Sequence, residues 1–114
     1  MHRLRRPQRA QGLLRESLDL FMELGDRPSV AECLLGLAGV AGSTGSSEKA
    51  ARLFGAADAM LEALGFRLHI VDRIEHDRDV AAVREALGEE AWERVWEAGR
   101  ALTVEQAITL AGSD

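Results

Sequence analysis

The chain has 114 residues, enough for one domain with a modest core, and its 46% hydrophobic and 29% charged content is that of a soluble globular protein. Ala, Leu, Glu and Arg dominate while Tyr is absent, which favours helix over strand. The formal net charge of −5 is uneven: Arg3, Arg5, Arg6 and Arg9 precede every acid, and the rest of the chain is strongly acidic. An acidic body argues against a nucleic-acid surface, which needs clustered Lys and Arg, so no direct nucleic-acid partner is expected. One cysteine, Cys33, excludes an intramolecular disulfide and suits a cytoplasmic location. No signal peptide is expected, because Pro7-Gln8-Arg9-Ala10-Gln11 stands where an apolar run would be. No apolar run approaches the roughly 18 residues of a membrane span, so no membrane role is expected.

Residues 1–8 read as a solvated basic arm. The first helix is expected from about Gln8 to Leu24, with Ala10, Leu13, Leu14, Leu18, Phe21 and Leu24 at steps of three and four. Gly25 suits its C-terminal turn, and Asp26 with Pro28 begins the next helix. Helix two, about Ser29 to Ser43, is apolar on nearly every side and should be buried between neighbours. Its Gly36, Gly39 and Gly42 each cost about 1 kcal/mol of helix propensity, and close helix–helix approach is the expected compensation.

Helix three follows Gly45 and runs to Leu64, with Ala50, Leu53, Phe54, Ala57, Met60, Leu61 and Leu64 inward; Gly65 closes it. Helix four, Ile70 to Leu87, should turn Ile70, Ile74, Val80, Val83 and Leu87 inward, and Gly88 ends it. Helix five, Glu89 to Gly99, carries Trp92, Val95 and Trp96, and its early acids suit the helix dipole. Thr103 and Gln106 form a capping-box pattern before helix six, whose apolar face is Val104, Ala107, Ile108 and Leu110. The fold class is therefore all-α, about six helices in antiparallel hairpins joined by short connections.

Five patterns invite a chemical reading, and in each the bland alternative is stronger. Gly42-Ser43-Thr44-Gly45-Ser46-Ser47-Glu48-Lys49 resembles a phosphate loop, but Lys49 is four residues too late and a helix precedes it. His69, Asp72, His76 and Asp79 have the spacing of a metal face, yet no second ligand cluster completes it. A solvated face with Arg73 and Arg78 is expected instead. Glu89, Glu90, Glu93 and Glu97 read as an exposed acidic face, not general acids. Cys33, on the most apolar helix, reads as a buried inert thiol. Trp92 and Trp96, one turn apart, should pack helix five on helix three or four rather than stack a ligand. No catalytic residue, cofactor or metal is expected, and the chain is not expected to be an enzyme.

Leu34, Leu37 and Ala38, then Gly45 at a turn, then Ala50, Phe54 and Ala57 resemble a tetratricopeptide repeat, with Ala41 in place of the usual aromatic. The strings Glu16-Ser17-Leu18, Leu24-Gly25-Asp26, Leu37-Ala38-Gly39-Val40-Ala41 and Ala51-Arg52-Leu53-Phe54-Gly55-Ala56-Ala57 extend the likeness. With Leu87 to Trp92 and Gly99 to Ala107, they are similar to the C-terminal helical region of bacterial LuxR-type and related ATPase regulators. That resemblance implies a right-handed repeat over residues 9–65, a closing helical segment over 66–114, and a non-catalytic part that docks protein partners or senses a signal in transcription regulation. The partner stays unidentified. The alternative is a small-molecule-sensing domain with an apolar pocket near helix two and the Trp pair.

By the repeat phase, Ala10 corresponds to Ala50 and Leu14 to Phe54. The helix that would cover helix one has no counterpart in the sequence. Leu13, Leu20, Phe21 and Leu24 are therefore expected to form an uncovered apolar interface, met by a second copy in a homodimer.

Overall fold

The computed structural model describes residues 2–66 and 70–112, with side chains over 9–66 and 73–112. The described residues form six helices and no strand: α1 (His2–Leu24), α2 (Arg27–Ser43), α3 (Ser47–Leu64), α4 (Ile70–Leu87), α5 (Glu89–Arg100) and α6 (Val104–Gly112). The all-α expectation holds. Several bounds differ: α1 begins before Pro7, taking in the basic residues, α2 begins at Arg27 and not Ser29, Gly99 lies within α5 instead of ending it, and α6 begins at Val104, after the capping Thr103.

Local chemistry fixes the helix ends. At the end of α1, Gly25 takes φ +71°, its N–H donates to Met22 O at 3.2 Å and the Asp26 N–H to Phe21 O at 3.0 Å. Carbonyls that the helix leaves unpaired are thus satisfied, by a residue without the Cβ that disfavours this backbone. The same pair of bonds recurs at Gly65 and Phe66. Asp26 then caps α2: its carboxylate accepts from the Ser29 N–H at 3.3 Å and the Ser29 hydroxyl at 2.7 Å. The expected capping box is present at α6, where Thr103 N–H donates to Gln106 Oε1 at 2.9 Å and Gln106 N–H to Thr103 Oγ1 at 3.1 Å.

α3 is the central element, packed against α2, α4, α5 and α6, and α2 touches α1, α3, α4 and α6. Phe54, Leu34, Leu53 and Val30 are the largest fully buried side chains. Small residues let α2 and α3 approach: Ala38, Ala50 and Ala57 are completely buried between larger neighbours.

Glycine packing differs from the expectation. A Cβ on Gly36, Gly39 or Gly42 would meet side chains, namely Leu14, the Asp79 carboxylate and Val83 respectively, not the backbone of a neighbouring helix. The backbone-to-backbone contact is between α3 and α5. A Cβ on Gly55 would overlap the Trp96 carbonyl oxygen, and one on Gly99 would overlap the Arg52 carbonyl. These two reciprocal glycines offset their propensity cost by letting the helices touch directly.

Leu64 and Ile74, expected inward, are further corrections, being 44% and 56% exposed. The inward face of α4 is His76, Val80, Val83 and Leu87, at steps of four, three and four, and Ile74 lies off it. The side chain of Ile70 lies outside the described residues.

Candidate functional site

The face of α2 that α3 leaves free is bordered by α1 on one side and α4 on the other. A cavity of about 340 Å³ opens there. Leu14 and Phe21 of α1 form one wall, and Cys33, Leu35 and Gly36 of α2 the base, with Phe54 of α3 behind them. The remaining wall is polar: Ser29 and Glu32 from α2, and Glu75, His76 and Asp79 from α4. Gly36 contributes by omission, since Leu14 fills the space above it.

His76 departs from its expected place on a solvated face with Arg73 and Arg78. Those two arginines are exposed, but the His76 side chain is only 15% exposed, because it occupies the inward stripe of α4. Its ring meets Phe54 edge-on, centroids 5.3 Å apart. Nε2 lies 3.7 Å from Asp58 Oδ1, and Nδ1 is buried with no hydrogen-bond partner. Asp58 in turn accepts from the Trp96 indole N–H at 3.2 Å. A polar chain thus runs from α5 through α3 to α4 along the edge of Phe54. Burial pushes the Asp58 carboxyl up, while His76, the Trp96 hydrogen bond and Arg100 pull it down.

The Trp pair is structural and does not line the cavity. Trp92 is buried against Phe54, with centroids 6.4 Å apart, and stacks with Trp96 at 6.5 Å. Arg100 lies 4.9 Å over the Trp96 ring and donates to Glu62 at 2.9 Å. Trp92 and Trp96 therefore anchor α5 on α3. A pocket is present beside helix two, but one of its walls is polar and the tryptophans do not line it.

Of the residues with metal-face spacing, His69 and the Asp72 side chain lie outside the described residues. His76 and Asp79 both line the cavity. Among the described residues, no three His, Cys, Asp or Glu side chains come close enough to hold one metal ion. Glu89 is engaged by Arg84, whose guanidinium donates to both carboxylate oxygens at 2.7–3.0 Å, holding the Glu89 carboxyl below its ordinary value. Glu90, Glu93 and Glu97 are exposed. Cys33 is buried, and burial first, then Glu32 and Asp26, push its thiol up, the reverse of an activated thiolate. Ser46 and Ser47 mark a helix–helix turn, Ser46 N–H donating to Ala41 O at 2.8 Å.

The four residues expected at an interface do not share one environment. Leu13, Leu20 and Leu24 are 65%, 53% and 68% exposed and follow one ridge of α1 at steps of seven and four. Phe21 turns partly inward, against the core and onto the cavity wall. Among the described residues, no helix is long and apolar enough to cross a membrane.

Three curated proteins match the chain at 41% identity over 76 residues: one from Mycobacterium bovis and one from each of two Mycobacterium tuberculosis strains, all bearing the name HTH-type transcriptional regulator. The match covers 66% of this chain and 8% of each relative, so the chain corresponds to a small part of those proteins' length. No protein-family model matches, and no solved structure matches significantly. The chain is thus a helical region similar to a segment of proteins named as transcriptional regulators.

Proposed function

We propose that this chain is a non-catalytic, tetratricopeptide-like interaction module of the kind found in LuxR-type regulators, working in the cytoplasm by docking on protein surfaces. The observation that carries the reading is the ridge of Leu13, Leu20 and Leu24, large apolar side chains more than half exposed on one line of α1. The α2–α3 hairpin supports the repeat assignment, since Leu34, Leu37, Ala38, Ala50, Phe54 and Ala57 are all buried in one core cluster. In a repeat array each unit covers the apolar flank of the next, and the exposed ridge of α1 has the character of such a flank.

A second copy of the chain is the proposed cover, ridge against ridge about a two-fold axis. Light scattering across micromolar concentrations tests it. The mass should rise toward that of two chains, and Leu20→Glu should return it to one chain with helicity unchanged. A single-chain mass at every concentration overturns the homodimer. Leu20 is a better probe than Phe21, whose substitution would also disturb the core.

A second reading, a small-molecule-sensing domain, draws on one specific observation: the cavity beside α2, of a size within the usual range for ligand sites.

A further inference from the structure

The cavity between α1, α2 and α4 is unbalanced in charge. Glu32, Glu75 and Asp79 line it, and among the described residues no Lys or Arg does. Two groups on its walls register the surplus. Burial chiefly, and then Glu75, pushes the Asp79 carboxyl up, against smaller downward pulls from His76 and Arg78. The Cys33 thiol is raised by burial and then by Glu32 and Asp26. Asp79 is held inward over α2: a Cβ on Gly39 would stand 2.8 Å from its Oδ2, so the missing side chain makes room for a carboxylate.

The opposite side of the same space is apolar, made by Phe54, Cys33 and Leu35. A ligand that suits both sides carries positive charge at one end and hydrocarbon at the other. A bare metal ion does not suit, because among the described residues no three potential ligands converge on a point. Among the described lining residues an anion would meet three carboxylates and no Lys or Arg.

We propose that this cavity binds a small organic ammonium ion, its charged head between Glu75, Asp79 and Glu32 and its apolar body against Phe54 and Leu35. The assignment rests on the small-molecule reading and is independent of docking through α1. Glu75 and Asp79 stand at i and i+4 on one face of α4, so one head group can meet both.

Calorimetric titration of the full chain with phenethylammonium, 2-phenylethanol, 3-phenylpropionate and calcium chloride tests it. The ammonium should bind one-to-one, at least about tenfold tighter than the alcohol or the carboxylate. Calcium should neither bind comparably nor compete. Glu75→Gln combined with Asp79→Asn, isosteric changes at exposed positions, should weaken ammonium binding by about tenfold or more without lowering the melting temperature. If alcohol and ammonium bind equally, the ligand class is wrong while small-molecule binding stands. If none of the three organic probes binds at millimolar concentration, both fail. Ammonium binding that survives the double substitution intact places the site elsewhere and overturns the proposal.

Discussion

The two flanks of the α2–α3 hairpin use glycine in opposite ways. On the α5 side, Gly55 and Gly99 bring backbone onto backbone, and Trp92 and Trp96 close the seam over Phe54 and Asp58. On the α1 and α4 side, Gly36 and Gly39 receive the tips of Leu14 and Asp79, both on the cavity wall, while Gly42 receives the buried Val83. A missing Cβ thus builds a rigid wall where the neighbour is a carbonyl, and adjustable space where the neighbour is a side chain that can swing away. Both the candidate ligand cavity and the exposed ridge lie on the adjustable flank.

The largest expected effect is on the rigid flank. Trp92→Ala removes a buried indole packed on Phe54 and should cost about 3–5 kcal/mol in a denaturant titration. Gly99→Ala should come next, near the upper end of the roughly 1–3 kcal/mol that overpacking costs, because the Arg52 backbone cannot rotate aside. A Gly99→Ala protein as stable as the parent would mean that α3 and α5 do not touch through their backbones.

Gly39→Ala is the counterpart on the other flank. The new methyl meets only the end of the exposed Asp79 side chain, and Ala gains up to about 1 kcal/mol of helix propensity. Its stability should equal or slightly exceed the parent's. A loss comparable to that of Gly99→Ala would erase the distinction between the flanks.

The smallest effect concerns pH. The Asp79 carboxyl is raised in the folded chain, mainly by burial. A raised acid contributes stability that is full below its unfolded-state pKa and lost as pH rises through the folded value. Asp79→Asn, which stays neutral, should therefore be at least as stable as the parent at neutral pH, and the difference should shrink on acidification through the carboxylate range. Paired melting curves over pH would show this. A variant less stable than the parent at neutral pH contradicts it.

What the sequence made legible was mostly local. Gly25, Gly65 and the Thr103–Gln106 pair act through bonds a few residues long, so the helix ends could be read from neighbouring letters. The apolar surround of α2 likewise foretold burial on several sides. The pairing of Gly55 with Gly99 was not legible, since it joins positions far apart in the chain and neither glycine signals its partner. His76 was partly legible: its step to Val80, Val83 and Leu87 put it on the inward stripe, a signal masked by the charges around it. The cavity had no local signature, because its walls come from four helices. Leu13, Leu20 and Leu24 stood out as apolar residues, but only the packing separated them from Phe21.

Amide hydrogen exchange followed at several protein concentrations tests the contrast between the flanks most directly. Amides around Gly55 and Gly99 should be the slowest to exchange at every concentration, as befits the seam with the closest packing. Amides of α1 over residues 13–24 should exchange faster in dilute solution and become protected as concentration rises and the ridge is covered. Protection of α1 equal to that of α3 and unchanged by concentration would contradict the account.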